Sequence, residues 1–396
     1  MVPITLLGQV LWLYLAAATA LNSHIFSQTK DYPLPNQGNI AAHDPNILRH
    51  NDHFYLFKGG VKIPIFKASN LTGPWERLGT VLDEPSTIQK QNRTRPWAPT
   101  ATRWRNRFYC FYSISQSGTR NSAIGLASAD SLESGTWSDH GALINTGTGA
   151  LSDIYPYNVS NAIDPAVSVD PTTGRPFLQY GSYWDGIFQV ALTDDLLLAV
   201  ENPTQPAVDH LVDLPDERPR PNEGSFMSYR APYYYVWFSH GQCCLFSVQG
   251  FPKTGNDIRV GRSASIHGPF VDRDNRHLLD GGGSVVYGSN HGEVYAPGGL
   301  GILPGTGDDA DVLYYHYMNT SIGFAHGDAQ LGWNYLDYAD GWPIPRYNSS
   351  PITDRRTPAN KAMWFLEPPQ AAAQVSNAPT PILFRFLDCF VCAAYY

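Results

Sequence analysis

Charge is scarce in this chain of 396 residues: Asp, Glu, Lys and Arg together make up only 16% of it. Long solvent-exposed helices need more than that, so they are excluded as the main architecture. Clusters of Lys and Arg are missing and the formal net charge is -8, which argues against a nucleic-acid or anionic-membrane partner. A neutral substrate fits best. Cysteine is also sparse. Cys110, Cys243, Cys244, Cys389 and Cys392 form no disulfide framework, and their spacing offers no zinc site. Two readings stay open for neighbouring Cys243 and Cys244, a strained vicinal disulfide or buried free thiols, while Cys389 and Cys392 could bridge in the tail.

What is plentiful points the other way. Aromatics at 13%, with 35 Gly and 31 Pro, suit many short strands joined by tight turns, so the chain reads as all-β. Residues 1–20, "MVPITLLGQVLWLYLAAATA", read as a signal peptide. Their apolar stretch has the length of an h-region and is shorter than a comfortable membrane span, and Ala18-Thr19-Ala20 has the small-x-small form of a cleavage site. The usual basic n-region is lacking. The expectation is a secreted, extracellular protein, with glycan acceptor sequons beginning at Asn70, Asn92, Asn158, Asn319 and Asn348.

Five aromatic runs mark off the chain: "FYLF" at 54, "FYCFYS" at 108, "FLQYGSYW" at 177, "YYYVWFS" at 233 and "LYYHYMN" at 313. Their separations leave room for a few strands per unit. Upstream of each lies a short motif: "HDPNI" with Asp44, "WAPTA" with Trp97, "IDPAV" with Asp164, "EGSFM" with Glu223 and "YAPGG" with Tyr295. Counted from those residues to the runs, the offsets are 10, 11, 13, 10 and 18. Four-stranded sheets arranged radially hide their edges, so the spacing predicts a five-bladed β-propeller with the active site at one mouth of the central channel. Each motif would fall on an innermost strand. Asp44, Asp164 and Glu223 would then gather around one cavity.

Glycosidic cleavage usually needs two carboxyl groups, one protonated and one ionised. Acids on separate blades suit the wider separation of an inverting enzyme, about 6.5 to 9.5 Å, which leaves room for a water. A third carboxylate would raise the acid's pKa by like-charge repulsion. Trp97, Tyr183 and Trp184 lie close by as sugar-binding faces.

At these motifs the chain resembles glycoside hydrolase family 43, and within it the fungal endo-arabinanases. The resemblance runs from about Ala41 to Pro345 and includes "NAIDPAV", "GSYWDGIFQV", "NEGSFM", "HGEVYAPGG" and "LYYHYMN". It implies a secreted five-bladed propeller cleaving internal α-1,5 linkages of arabinan with inversion. Asp44 would be the general base, Glu223 the general acid, and Asp164 the residue that tunes pKa and orients the sugar. Trp97, Asn161, Ser182 and Trp184 fall where the family contacts substrate. His316 matches a histidine that faces a metal ion, commonly calcium, whose shell would be largely water because calcium prefers oxygen ligands. No organic cofactor is implied, and a monomer is expected.

Two departures stand out. Residues 346–396 look unlike the family's ending, so residues 21–345 are taken as the catalytic propeller and the remainder as an atypical tail. The Pro-rich "ERPRPNEGSF" precedes the proposed acid and would affect accepted chain lengths if it folds over the channel. Alternatives are an exo-acting α-L-arabinofuranosidase or β-xylosidase, and a carbohydrate-binding propeller without catalysis. Related retaining fructosidases carry motifs that "HDPNI" and "EGS" do not match.

Overall fold

A computed structural model describes residues 31–196, 207–241, 256–305 and 309–347. The leader, the cysteines other than Cys110, Asn348 and nearly all of the tail lie outside these residues. Five antiparallel four-stranded sheets follow one another along the chain. Blade 1 holds β1 (Asn46–His50), β2 (His53–Phe57), β3 (Pro64–Ala68) and β4 (Glu76–Thr80). Blade 2 holds β5 (Trp97–Trp104), β6 (Arg107–Ile114), β7 (Ala123–Ala129) and β8 (Ser138–Asn145). Blade 3 is built from β9 (Ala166–Val169), β10 (Pro176–Tyr180), β11 (Ile187–Ala191) and β12 (Val208–Val212). Blade 4 comprises β13 (Asn222–Arg230), β14 (Tyr233–His240), β15 (Asp257–Ser263) and β16 (Ser284–Gly288). Blade 5 comprises β17 (Val294–Leu303), β18 (Asp311–Asn319), β19 (Ala329–Ala339) and β20 (Trp342–Arg346). The first strands touch in cyclic order, β1 to β5, β9, β13, β17 and back to β1, so they line the axis of a five-bladed propeller.

Each aromatic run is the second strand of its blade. Both faces of such a strand pack against neighbouring blades, so β6, β10 and β14 are buried almost throughout. That is why the runs are continuously apolar rather than alternating. β8, an outermost strand, instead alternates exposed and half-buried residues along most of its length. Hydrophobic clusters fill the joints between consecutive blades, with Trp237 and Phe57 among the fully buried side chains.

The ring closes without exchanging a strand. Residues 31–42 run along the outer edge of β19: Leu34 N donates to Trp333 O (2.9 Å), Leu331 N to Ile40 O (3.0 Å) and Ala42 N to Ala329 O (2.7 Å). Asn36 adds side-chain bonds, donating to Leu331 O and accepting from Trp333 Nε1. Leu34, Ala42, Ile47, Leu56, Leu331 and Trp333 share the core of this joint.

Antiparallel order brings the start of every first strand to one mouth, together with the β2–β3, β6–β7, β10–β11 and β18–β19 connections and the links between blades. There the backbone repeats. Asp44, Ala98, Asp164, Gly224 and Ala296 all have left-handed φ, between 39° and 58°, and four of them precede a proline. This equivalence corrects the motif alignment. Asp44 and Asp164 occupy the repeated position, whereas Trp97, Glu223 and Tyr295 each stand one residue before it. In blades 2, 4 and 5 the register also shifts just after those residues, and such bulges re-aim side chains beside functional sites.

Candidate active site

All five blades line a small hollow of about 30 Å³ at this mouth, through Asp44, Ala98, Asp164, Gly224 and Gly299 among others. Asp44 keeps 24% of its side chain exposed there and is held by two imidazoles. His43 Nδ1 lies 2.9 Å from its Oδ2, and His316 Nδ1 lies 3.3 Å from its Oδ1. The Asp44 amide donates to His316 Nδ1 at 3.2 Å. Burial pushes the Asp44 carboxyl up, but interactions with His43 and His316 outweigh it and hold the group well below the usual carboxylate range. Burial also lowers the His43 pKa.

Asp164 and Glu223 behave oppositely. Asp164 Oδ2 accepts from Gly224 N (3.0 Å), so the two acids sit side by side, and its own amide donates to Ser113 Oγ (3.0 Å). Burial, then the charges of Glu223 and Asp44, push Asp164 well above its ordinary value. Burial likewise pushes Glu223 up to about 7, against a hydrogen bond from Ser182 and with a further push from Asp44. The repulsion expected between Asp164 and Glu223 is present as a push on Asp164. For Glu223 itself, burial comes first and the carboxylate that adds to it is Asp44 rather than Asp164. The three acids therefore share one mouth and are displaced in opposite senses, Asp44 downward and the neighbouring Asp164 and Glu223 upward.

The other expected contacts divide. Ser182 is buried and its hydroxyl donates to Glu223 Oε2 at 2.9 Å, which turns it toward the acid. Asn161 is buried as well, its Oδ1 accepting from Ser122 Oγ at 2.7 Å. Trp97 is half-buried at the start of β5, and Trp184 is exposed. Behind Asn161 stands Lys90, whose ammonium lies within 3.0 Å of four oxygens, those of Asn121 Oδ1 and the Ser122, Thr146 and Thr148 carbonyls. It ties together three loops that frame the Asn161–Asp164 segment. No pattern in the sequence separates this lysine from an ordinary surface one.

His43 stands inside "HDPNI", beside a more conspicuous acid. It is the middle ring of a column, with the His316 and His326 centroids 4.2 Å and 3.9 Å away. Gly299 is a second inconspicuous residue. At φ 51° a Cβ there would lie 2.3 Å from Asp44 Oδ1 and 2.6 Å from His316 Nδ1, so only glycine lets the backbone pass behind the carboxylate. Gly299→Ala is expected to displace Asp44 and lower the rate of any reaction that relies on that carboxylate by about 10²-fold. An unchanged rate would show that the carboxylate's placement is not critical.

His43, Asp44 and His316 offer ligand atoms within 4.8 Å of one another and could hold a metal ion. His43 Nε2 is buried with no hydrogen-bond partner, so that imidazole has a polar atom to spare.

Comparison with known proteins places the chain and its fold. Residues 38–343 match the model of glycosyl hydrolases family 43. The probable arabinan endo-1,5-alpha-L-arabinosidase D of Emericella nidulans is 67% identical over 370 residues, 92% of this chain and 96% of that protein. The arabinan endo-1,5-alpha-L-arabinosidase B of the same organism is 42% identical over 80% of this chain and 86% of its own length. Among solved structures, the Cellvibrio cellulosa alpha-L-arabinanase complexed with arabinohexaose superposes with a TM-score of 0.68 at 25% identity, covering 78% of this chain and 96% of that one. The Bacillus licheniformis endo-arabinanase gives 0.64 at 27% identity, covering 78% and 99%. With its five blades and the acids of three of them at one mouth, the chain belongs to glycosyl hydrolase family 43.

Proposed function

We propose that this protein is a secreted endo-acting arabinanase that cleaves internal α-1,5-L-arabinofuranosidic bonds with inversion. The observation that carries the reading is the opposite displacement of two carboxyls that feel each other's charge at one mouth: Asp44 held well below its ordinary range and Glu223 pushed up to about 7. Asp44 accepts a proton from water as that water attacks the anomeric carbon. Glu223 gives its proton to the departing O5, and the C1–O5 bond breaks. Asp164, bonded to the Gly224 amide beside Glu223, holds the acid's backbone and favours keeping a proton on the pair. Calcium is the cation proposed on resemblance. One carboxylate and two imidazoles are nitrogen-rich for it, so water would supply most of its shell. A cation held there would help keep Asp44 ionised.

The endo mode rests on the names of the relatives, and an exo-acting enzyme of the same chemistry is the second reading. Proton NMR of the products from linear arabinan tests both together. Oligomers whose new reducing ends appear first as the inverted anomer support the reading, whereas retention or release of single arabinose units overturns it. The pH profile gives a separate check. Glu223 acts only while protonated, so activity is expected to fall on the alkaline side with a midpoint near 7. Stability follows the same sign. A carboxyl whose folded pKa is raised contributes most below its unfolded value, and that contribution is lost as pH rises toward 7.

A further inference from the structure

In a chain with 13% aromatics, exposure of an aromatic ring is informative. Among the described residues only two aromatic side chains are largely exposed, Tyr155 at 51% and Trp184 at 37%. Both lie on loops of blade 3 at the mouth that carries the acids. Tyr155 is on the link that ends in Asn161 and Asp164, and Trp184 is on the β10–β11 turn whose Ser182 bonds Glu223. Burial, then the Asp185 carboxylate, raises the Tyr155 phenol above its ordinary value, which puts Tyr155 within electrostatic reach of the residue beside Trp184.

Neither ring is displayed by accident of a floppy loop. Tyr183 and Trp184 both adopt left-handed φ, 53° and 41°, which bulky side chains avoid unless the surroundings impose it. Here the surroundings do. Arg220 Nη1 donates to Trp184 O (3.2 Å) and Asp185 Oδ1 (2.7 Å), and Tyr183 N donates to Asn222 O (2.8 Å). His210 Nε2 donates to Asp185 O at 2.6 Å. Arg220 belongs to the Pro-rich segment before the acid, so that segment braces the turn. The Tyr155 ring is set by an edge contact with Phe188, centroids 6.0 Å apart at 86°, and Arg120 anchors the link through Tyr157 O (2.9 Å).

We propose that Tyr155, together with Trp184, forms an aromatic rail over blade 3 that binds arabinose units several residues from the bond being cleaved, making the enzyme selective for long chains. A rigid amphipathic ring loses little entropy on binding and offers its face to the apolar C–H side of a furanose. Both rings share the mouth that carries the acids, and Trp184 follows two residues after the serine that bonds Glu223, which makes the substrate itself the natural occupant. This inference rests on the arabinanase reading.

The test compares Tyr155→Ala and Tyr155→Phe with the unsubstituted protein on arabinotriose and on linear arabinan, after removal of N-glycans because the Asn158 sequon is three residues away. Tyr155→Ala is expected to raise KM for arabinan about five- to tenfold with kcat unchanged and arabinotriose unaffected, while Tyr155→Phe stays near the original. An unchanged KM on arabinan overturns the rail. So does an equal change on both substrates, which would mark a structural role, or a shift in oligomeric state alone, which would mark a contact between copies. If the unsubstituted protein cleaves no arabinan, the proposed function fails and the rail with it. That result differs from a working enzyme indifferent to Tyr155.

Discussion

Glu223→Gln is expected to lower kcat on linear arabinan by about 10²- to 10⁴-fold, the range that a positioned general acid contributes. An amide keeps the shape of the side chain and its contact with Ser182 but has no proton to give. The loss should depend on the leaving group. An arabinoside whose aryl alcohol departs without protonation should be cleaved almost as before, because that bond never needed the acid. Affinity for arabino-oligosaccharides should persist, so calorimetry would still detect binding. Equal losses on both substrates would remove Glu223 from the acid's role. No loss on either would mean that Glu223 takes no part in the reaction.

The second large effect concerns the ring itself. Trp333 is 4% exposed and sits where the segment of residues 31–42 meets blade 5, its indole donating to Asn36 Oδ1 at 3.1 Å. Its ring packs in the joint with Leu34, Ala42 and Leu331, and stands edge-on to Tyr335 at 5.4 Å. Trp333→Ala should cost about 3–5 kcal/mol, as truncations of large buried aromatics do. The midpoint of denaturant unfolding should fall accordingly. Trp184→Ala, which removes an exposed ring, should leave it nearly unchanged. If both substitutions behave alike, the closing segment is not what holds the ring together.

Much of this was readable from residues alone, and the reason is repetition. A buried central strand must be apolar on both faces, so five such strands announce themselves as five aromatic runs. The motifs ahead of them carry a proline because the backbone turns into the first strand at the same point in four blades. Phase was less legible. Counting from the eye-catching residue of each motif placed Trp97, Glu223 and Tyr295 in register with Asp44 and Asp164, although they stand one position earlier; the left-handed φ that defines the register leaves no mark on alanine. The closing segment was invisible for another reason. Residues 31–42 form almost no strand of their own, and their partners lie nearly 300 positions away. His43 was hidden beside a more conspicuous neighbour, and Lys90 because its role is fixed by loops that only tertiary structure brings together.

The five left-handed positions amount to sockets of one design, filled differently in each blade. Two hold the aspartates to which the proposed reaction gives roles. At Gly224 an added Cβ would lie only 3.1 Å from Ser239 Oγ, and Ala296 is buried. Ala98, at φ 39° and facing the same hollow as Asp44 and Asp164, is the vacant one. Asparagine or aspartate suits that backbone better than alanine does, so the scaffold has a ready place for one more polar group aimed at the sugar.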